Sequence, residues 1–225
     1  MITKSKFIIV FDLDDTLYNE IDFLKSAYKE ISSFLSNRIN ISSKLILSQM
    51  LDWYNDGLNV FDNIIKTYRL ENLTVHDLIY VYRNHKPEIV LTYSSRKLLD
   101  NIKSKTYKQG LITDGRSIQQ RNKISALGLS EYFDDLIISE EFGSEKPCMN
   151  NYQHFIEKYG DSYDYVYIAD NISKDFISPN ILGWTTICLL DNGKNIHKQV
   201  FDLDKEYKPT YLIKDLIEVN KVLNI

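Results

Sequence analysis

The chain has 225 residues, of which 44% are hydrophobic and 26% charged, and its formal net charge is −4. This composition is ordinary for a globular protein with a substantial core, and the acidic balance argues against a nucleic-acid or anionic-membrane surface. No apolar run approaches the ~20 residues of a membrane span. The two cysteines, Cys148 and Cys188, are far apart, and residues 1–6 show no cleavable signal pattern. We therefore expect a cytoplasmic monomer or homodimer that binds neither nucleic acid nor membrane.

The first predicted element is a strand over residues 7–11, whose five apolar residues are typical of a strand buried on both faces of a parallel sheet. Asp12, Asp14 and Asp15 follow it directly, with Thr16 behind them. Ligands of open α/β sheets lie beyond the carboxyl ends of the strands, so Asp12 and Asp14 should face one crevice. Such close like charges require a bound cation or a raised pKa. The pair suits a nucleophile, Asp12, and a partly protonated acid and base, Asp14, although a helix cap is the ordinary alternative.

Residues 18–92 have the apolar spacing of helices rather than strands. Four helices are predicted, and the last begins at a capping-box pattern formed by Thr74 and Asp77. Pro87 then forces an extended return segment. We interpret residues 18–92 as an all-helical insert after the first strand, and we call this segment the helical insert.

From Ser95 onward, predicted helices and strands alternate, which is the pattern of βαβ units around a parallel sheet. The expected strands cover residues 110–113, 136–138, 163–169 and 184–190. A closing helix is expected over residues 212–223, packed against the sheet edge. The fold class is therefore α/β, a Rossmann-like parallel sheet with helices on both faces. Residues 1–17 and 93–225 form the predicted core and residues 18–92 the helical insert.

Polar residues follow the second and third predicted strands as well. Thr113, Asp114 and Gly115 supply a hydroxyl and backbone N–H groups before a helix, which suits an anion, although this tripeptide alone is more often a plain turn. Lys146 lies in a loop, where a lysine is usually just solvated. In a crevice that contains several carboxylates and an anionic ligand, a fixed cation becomes a reasonable requirement.

The fourth predicted strand ends at Asp170, with Asp175 five residues later. Asp170 can meet Asp12 and Asp14 around a hard cation, and Mg²⁺ suits such oxygen ligands. Asp175 could orient Lys146 from behind the site, or it could be an ordinary acid in the first turn of a helix. Both interpretations of Asp175 remain open at this point.

These residues, in this order and at these strand ends, resemble the four motifs of the haloacid dehalogenase-like hydrolases. The motifs are Asp12-Leu13-Asp14-Asp15-Thr16, Thr113, Lys146-Pro147, and Asp170 with Asp175. The resemblance covers essentially the whole chain, and the helical insert resembles the C1-type cap of that superfamily. Gln120 and Lys123 also match its usual phosphatase pattern.

The resemblance implies a phosphatase that works through an aspartyl-phosphate intermediate. Asp12 would attack phosphorus, and Asp14 would protonate the leaving oxygen and later activate water. Thr113 would hold phosphoryl oxygens, and Lys146 would neutralise charge. Mg²⁺ would be bound by Asp12, the backbone carbonyl of Asp14, and Asp170.

Substrate contacts are expected from Asp114 and Gly115 through their N–H groups, and from Arg116 beside them. The substrate would be a small phosphorylated metabolite, either a sugar phosphate or a nucleotide monophosphate, chosen by the helical insert. A sugar-phosphate mutase of the same superfamily is the nearest alternative, because it uses the same motifs. A non-catalytic binding domain is a third alternative, and it would be expected to have lost at least one of these residues.

Overall fold

The computed structural model describes residues 6–225. Its strands are β1 (Phe7–Phe11), β2 (Lys108–Thr113), β3 (Asp135–Ile138), β4 (Asp164–Ala169), β5 (Thr185–Leu189) and β6 (Tyr211–Ile213). Within the described residues they form one parallel sheet in the order β3-β2-β1-β4-β5-β6. The predicted α/β class is therefore confirmed. Residues 1–5, which carry most of the expectation about a signal segment, lie outside the described residues.

One or more α-helices connect each pair of consecutive strands from β1 to β5. They are α1 (Glu20–Ser36), α2 (Ser43–Asn55), α3 (Val60–Thr67), α4 (Val75–Asn84), α5 (Tyr93–Ile102), α6 (Ser117–Ala126), α7 (Ser139–Phe142), α8 (Asn150–Tyr159), α9 (Ile177–Ile181) and α10 (Val219–Leu223). Short 3₁₀ turns cover Leu129–Glu131, Lys205–Tyr207 and Leu216–Glu218.

Strand β1 lies in the middle of the sheet because both of its faces are apolar. Ile9 and Phe11 belong to a core cluster that includes α5, α6 and α10, whereas Ile8 and Val10 belong to a second cluster with α8. All four side chains are fully buried. The strand therefore ends at a fixed point between its neighbours β2 and β4, and this position determines where Asp12 begins the crevice.

The predicted closing helix is wrong in its first part. Residues 211–213 form the edge strand β6, which pairs with β5, and the helix begins only after Asp215. The Asp215 carboxylate accepts a hydrogen bond from the Ile217 N–H, and the Glu218 carboxylate accepts one from the Asp215 N–H. This capping box fixes the start of a short 3₁₀ turn and α10, so the apolar residues before it are free to extend the sheet.

The helical insert contains α1 to α4, and these helices share a core of their own. The buried residues of that core include Ile31, Ile46, Ile64 and Leu78. The predicted capping box of α4 is present, with hydrogen bonds between Thr74 and Asp77 in both directions. The division of the chain into a core and an inserted cap remains a prediction.

No helix in residues 6–225 is long and apolar enough to cross a membrane. Cys148 and Cys188 are both free thiols.

The packing of α8 on β2 depends on a glycine. A Cβ atom added at Gly110 would lie 2.2 Å from Cε1 of Phe155, far inside van der Waals contact. We expect Gly110→Ala to lower the free energy of unfolding by about 1–3 kcal/mol, because the phenyl ring must move out of a well-packed core. Urea unfolding of Gly110→Ala, Phe155→Leu and the double variant measures this effect. The double variant should lose less free energy of unfolding than the sum of the two single variants. Strictly additive losses would contradict the proposed clash.

Candidate active site

The carboxyl ends of β1, β2 and β4 open into a pocket of about 590 Å³ that is partly open to solvent. Its lining includes seven carboxylates among the described residues, which are Asp12, Asp14, Asp15, Glu20, Asp114, Asp170 and Asp175. Thr113, Asn171, Lys174 and His197 complete the lining. The structure thus brings most of the residues singled out in the sequence to one place, with a strong excess of negative charge.

Both oxygens of the Asp12 carboxylate have a partner. Its Oδ1 lies 2.5 Å from Nζ of Lys146, and its Oδ2 accepts a hydrogen bond of 3.3 Å from the Thr16 hydroxyl. Burial raises the pKa of Asp12 to about 6, with Lys146 opposing that rise and the charge of Asp175 adding to it. The side chain is thus held in one orientation, as a nucleophile must be.

Lys146 is buried between two carboxylates. Besides Asp12, its Nζ lies 2.8 Å from Oδ1 of Asp175 and donates a hydrogen bond of 3.3 Å to the Tyr167 hydroxyl. Burial acts to lower the pKa of Lys146, but the charges of Asp12 and Asp175 raise it well above its usual value. The lysine is therefore charged, and Asp175 has the position expected of a residue that orients it. The backbone N–H of Lys146 donates to Oδ1 of Asp114 at 3.0 Å, which fixes the loop.

Asp14 forms an ion pair with a different lysine, Lys123. Its carboxylate lies 2.7 Å from Nζ of Lys123, accepts a 2.9 Å hydrogen bond from Gln120 and also accepts one from the Tyr18 hydroxyl. Burial acts to raise the pKa of Asp14, but the charge of Lys123 and these hydrogen bonds hold it below its usual value. The sequence predicts a partly protonated Asp14, whereas the structure raises the pKa of Asp12 and Asp170 and lowers that of Asp14.

The residues of a cation site are present. Carboxylate oxygens of Asp12, Asp170 and Asp175 lie within 4.8 Å of one another, and all three residues are buried. Burial raises the pKa of Asp170 to about 9, and the charges of Asp12 and Asp175 add to that rise. Three buried carboxylates whose charge one lysine offsets only in part suit a small hard cation such as Mg²⁺. The donor set therefore fits the expected metal.

The predicted anion cradle is only partly in place. The Thr113 hydroxyl lines the pocket and accepts a hydrogen bond of 2.5 Å from Gln120. The Gly115 N–H donates to the Ser139 hydroxyl at 2.9 Å instead of facing the pocket. The exposed Arg116 guanidinium pairs with Glu140 at 2.7 Å, and its contact with a substrate remains a prediction.

The Asp114 side chain has partners of its own, and the substrate contact through its backbone N–H remains a prediction. Its Oδ2 lies 2.8 Å from Nζ of Lys174, and its Oδ1 accepts the Lys146 N–H. Its side chain therefore ties two loops together at the pocket wall.

Several pocket residues were missed or left unassigned by the sequence reasoning. Glu20, in the first turn of α1, lines the pocket, and its carboxyl has no hydrogen-bond partner within residues 6–225. Burial raises the pKa of Glu20 to about 8, with the charge of Asp14 adding to the rise. An acid in the first turn of a helix is so common that nothing marks it as special. Gln120 and Lys123 carried a signal only as part of the phosphatase pattern of the family, and the structure buries both on α6 against Asp14.

Comparison with known proteins places the chain in a family. Residues 9–188 match the haloacid dehalogenase-like hydrolase family. A glyceraldehyde 3-phosphate phosphatase from Methanocaldococcus jannaschii is 30% identical over 224 residues, which span 96% of this chain and 97% of that protein. A protein of the same name from Methanothermobacter thermautotrophicus is 25% identical over 225 residues, spanning 96% of this chain and 98% of the relative.

Solved structures share the fold. The HAD-hydrolase YfnB from Bacillus subtilis, solved bound to magnesium, has a TM-score of 0.68 at 20% identity and covers 99% of this chain and 100% of its own. An HAD phosphatase from Thermococcus onnurineus has a TM-score of 0.61 at 23% identity, covering 96% of this chain and 97% of its own. The family match, the full-length relatives and the fold agree with the resemblance of the sequence motifs. The chain belongs to the haloacid dehalogenase-like hydrolases.

Proposed function

We propose that the protein is a Mg²⁺-dependent phosphatase that hydrolyses a small phosphorylated sugar through an aspartyl-phosphate intermediate. The observation that carries the proposal is the buried cluster in which Lys146 bridges Asp12 and Asp175 and Asp170 lies close to both carboxylates. It would supply an oriented nucleophile, a fixed positive charge and a set of oxygen ligands at the carboxyl ends of β1 and β4. Phosphatase relatives that match the chain along its whole length support the reaction class.

The reaction has two displacements at phosphorus. In the first, a carboxylate oxygen of Asp12 attacks phosphorus, the bond from phosphorus to the leaving oxygen breaks, and Asp14 gives that oxygen a proton. In the second, Asp14 takes a proton from water as the water oxygen attacks phosphorus, which releases inorganic phosphate and restores the Asp12 carboxylate. Lys146 and the Thr113 hydroxyl face the negative charge of the transferring group.

Asp14 must carry a proton for the first displacement, although its pKa is low in the ligand-free pocket. A bound phosphate ester places a double negative charge beside this carboxylate, and like charge raises the pKa of a neighbouring acid. Lys123 and Gln120 hold the side chain in place, so the proton arrives at an oxygen that is already oriented. Substrate binding and acid catalysis are thereby linked.

Asp12 and Asp170, with the backbone carbonyl of Asp14, would hold Mg²⁺, while Asp175 orients Lys146. The cation supplies positive charge that offsets the phosphate oxygens and the acidic lining. Asp170, whose pKa is raised to about 9, would then be held in its ionised form.

The pocket favours a substrate whose only anionic group is its phosphate. Lys174, the lysine in the lining, is already paired with Asp114, and the remaining lining is dominated by carboxylates. A carboxylate on the substrate, in addition to its phosphate, would find no free lysine among the described lining residues. The Glu20 carboxyl can instead hydrogen-bond a hydroxyl group in either protonation state. A sugar phosphate also agrees better with the full-length relatives than a nucleotide, because a pyrimidine nucleotidase from Escherichia coli matches only 52% of this chain.

We further propose that residues 18–92 act as a cap over the pocket. Glu20 lies at the start of α1, so this segment already supplies part of the pocket wall.

The two free thiols are consistent with a reducing compartment such as the cytoplasm. A net charge of −4 supports a small-molecule substrate rather than a nucleic-acid partner, for a protein that is a monomer or homodimer.

Replacing Asp12 by Asn should lower the release of inorganic phosphate from glyceraldehyde 3-phosphate by at least about 10⁴-fold, as expected for loss of a covalent nucleophile. An amide has nearly the shape of the carboxylate but is a poor nucleophile. Asp52→Asn, at an exposed carboxylate on α2, is the matched control and should leave turnover unchanged. Near-wild-type release from folded Asp12→Asn would contradict the mechanism.

Removing divalent cations with a chelator should stop turnover, and added Mg²⁺ should restore it. Asp170→Ala should raise the Mg²⁺ concentration needed for half-maximal activity by at least about tenfold, because loss of a ligand costs no less than loss of a residue that supports one. Titration of Mg²⁺ into chelator-treated wild type and Asp170→Ala measures the effect. An unchanged titration curve would show that Asp170 is not a ligand.

Replacing Glu20 by Ala should lower kcat/KM for glyceraldehyde 3-phosphate by roughly three- to tenfold, the value of one net hydrogen bond to a substrate hydroxyl. The same variant should hydrolyse p-nitrophenyl phosphate at the wild-type rate, because that ester carries no hydroxyl group. Glu30→Ala, at an exposed acid on the same helix, should change neither rate. Equal losses on both esters would show that Glu20 supports the pocket without recognising a hydroxyl.

A further inference from the structure

The loop after β5 reaches back to the predicted metal site. The Asn195 side-chain amide donates a 2.7 Å hydrogen bond to Oδ2 of Asp170. The Thr16 hydroxyl lies 3.4 Å from the other oxygen, Oδ1. Asn195 comes 25 residues after Asp170 in the chain, beyond all four sequence motifs. A protein amide therefore fixes one oxygen of a carboxylate that the proposed function assigns to Mg²⁺.

This loop is internally braced. The Asp191 carboxylate accepts three backbone N–H groups through Oδ1, at 2.7, 3.0 and 3.1 Å, from the residues at 193, 194 and 195. The Gln199 side-chain amide donates to the carbonyls of Asp170 and Leu189, at 2.8 and 2.7 Å. Both ends of the loop are thus tied to the strand ends that carry the site, and Asn195 has little freedom to move away.

The middle of the loop is held by Asp15. Its Oδ2 accepts the Ile196 N–H at 2.9 Å, and its Oδ1 accepts the Glu20 N–H at 2.7 Å. Asp15 adopts a positive φ of 56°, a conformation that glycine would adopt without steric cost. A carboxylate at this position therefore serves a purpose that glycine could not, which is to join the loop to the first turn of α1.

We propose that Asn195 is a positioning residue for the metal site, seated by Asp15, that presents Asp170 to the cation. The proposal rests on the proposed function only in taking Asp170 as a Mg²⁺ ligand. The amide holds Oδ2, the Thr16 hydroxyl lies near Oδ1, and the side chain so oriented brings a carboxylate oxygen within 4.8 Å of oxygens of Asp12 and Asp175. Without the amide, the Asp170 side chain would be ordered only when the cation binds, and the lost side-chain entropy would lower the affinity for Mg²⁺. Residues that orient metal ligands in this way typically change metal affinity by about 10–100-fold when they are removed.

The test is a calorimetric titration of Mg²⁺ into chelator-treated protein without substrate. Asn195→Ala should bind Mg²⁺ about 10–100-fold more weakly than wild type. At saturating Mg²⁺ its kcat should return to near the wild-type value, since the amide does not touch the reacting atoms. Asn192→Ala, at an exposed asparagine of the same loop, is the matched control and should bind Mg²⁺ as wild type does.

Unchanged Mg²⁺ affinity in Asn195→Ala would overturn the proposal. Unfolding temperatures measured with chelator show whether each variant is folded. If Asn195→Ala does not fold, Asp15→Gly decides by the same titration, because glycine suits the backbone at this position and the change removes the hydrogen bonds from the Asp15 carboxylate to the loop and to the first turn of α1. Weaker Mg²⁺ binding by Asp15→Gly would support the proposal, and wild-type binding would overturn it. A wild-type protein that binds no Mg²⁺ would instead refute the metal assignment of the proposed function, so the two failures are distinguishable.

Discussion

The ion pair between Asp12 and Lys146 is the interaction on which the rest of the site depends. Both groups are buried, and the desolvation penalty of burying an isolated charge is far larger than the stabilisation from a surface ion pair. This desolvation penalty is offset because Lys146 also contacts Asp175 and Asp12 also accepts a hydrogen bond from Thr16. Strand β1, the loop before α8 and the turn after β4 must therefore meet at one point. The parallel sheet is the scaffold that makes them do so.

A second lysine gives the two aspartates of the first motif different roles. Asp12 is paired with Lys146, whereas Asp14 is paired with Lys123. Each carboxylate therefore has its own positive partner, and their pKa values move in opposite directions. Pairs of acids whose environments separate their pKa values are the usual basis for dividing nucleophilic and acid–base work. The remaining excess of carboxylates in the pocket is what a divalent cation would offset.

The centre of the fold could be predicted from the sequence because it depends on local patterns. Five consecutive apolar residues define β1, and the acids directly after it mark the strand end. The predicted start of the closing helix was wrong because residues 211–213 are a short apolar run. Periodicity alone cannot assign such a run to a strand or a helix. The pairing of Arg116 with Glu140 could not be predicted, since the two residues lie on different elements. The contact of Asn195 with Asp170 depends on tertiary structure alone.

The central claim is that Asp12 becomes phosphorylated during turnover. The most direct test is an acid quench of enzyme, Mg²⁺ and glyceraldehyde 3-phosphate during turnover, followed by proteolysis and mass spectrometry of the peptide that contains residues 7–18. The account predicts that this peptide gains the mass of one HPO₃ group on Asp12, that hydroxylamine removes it as expected of an acyl phosphate, and that Asp12→Asn lacks it. An adduct on another residue, with Asp12 unmodified, would contradict the account.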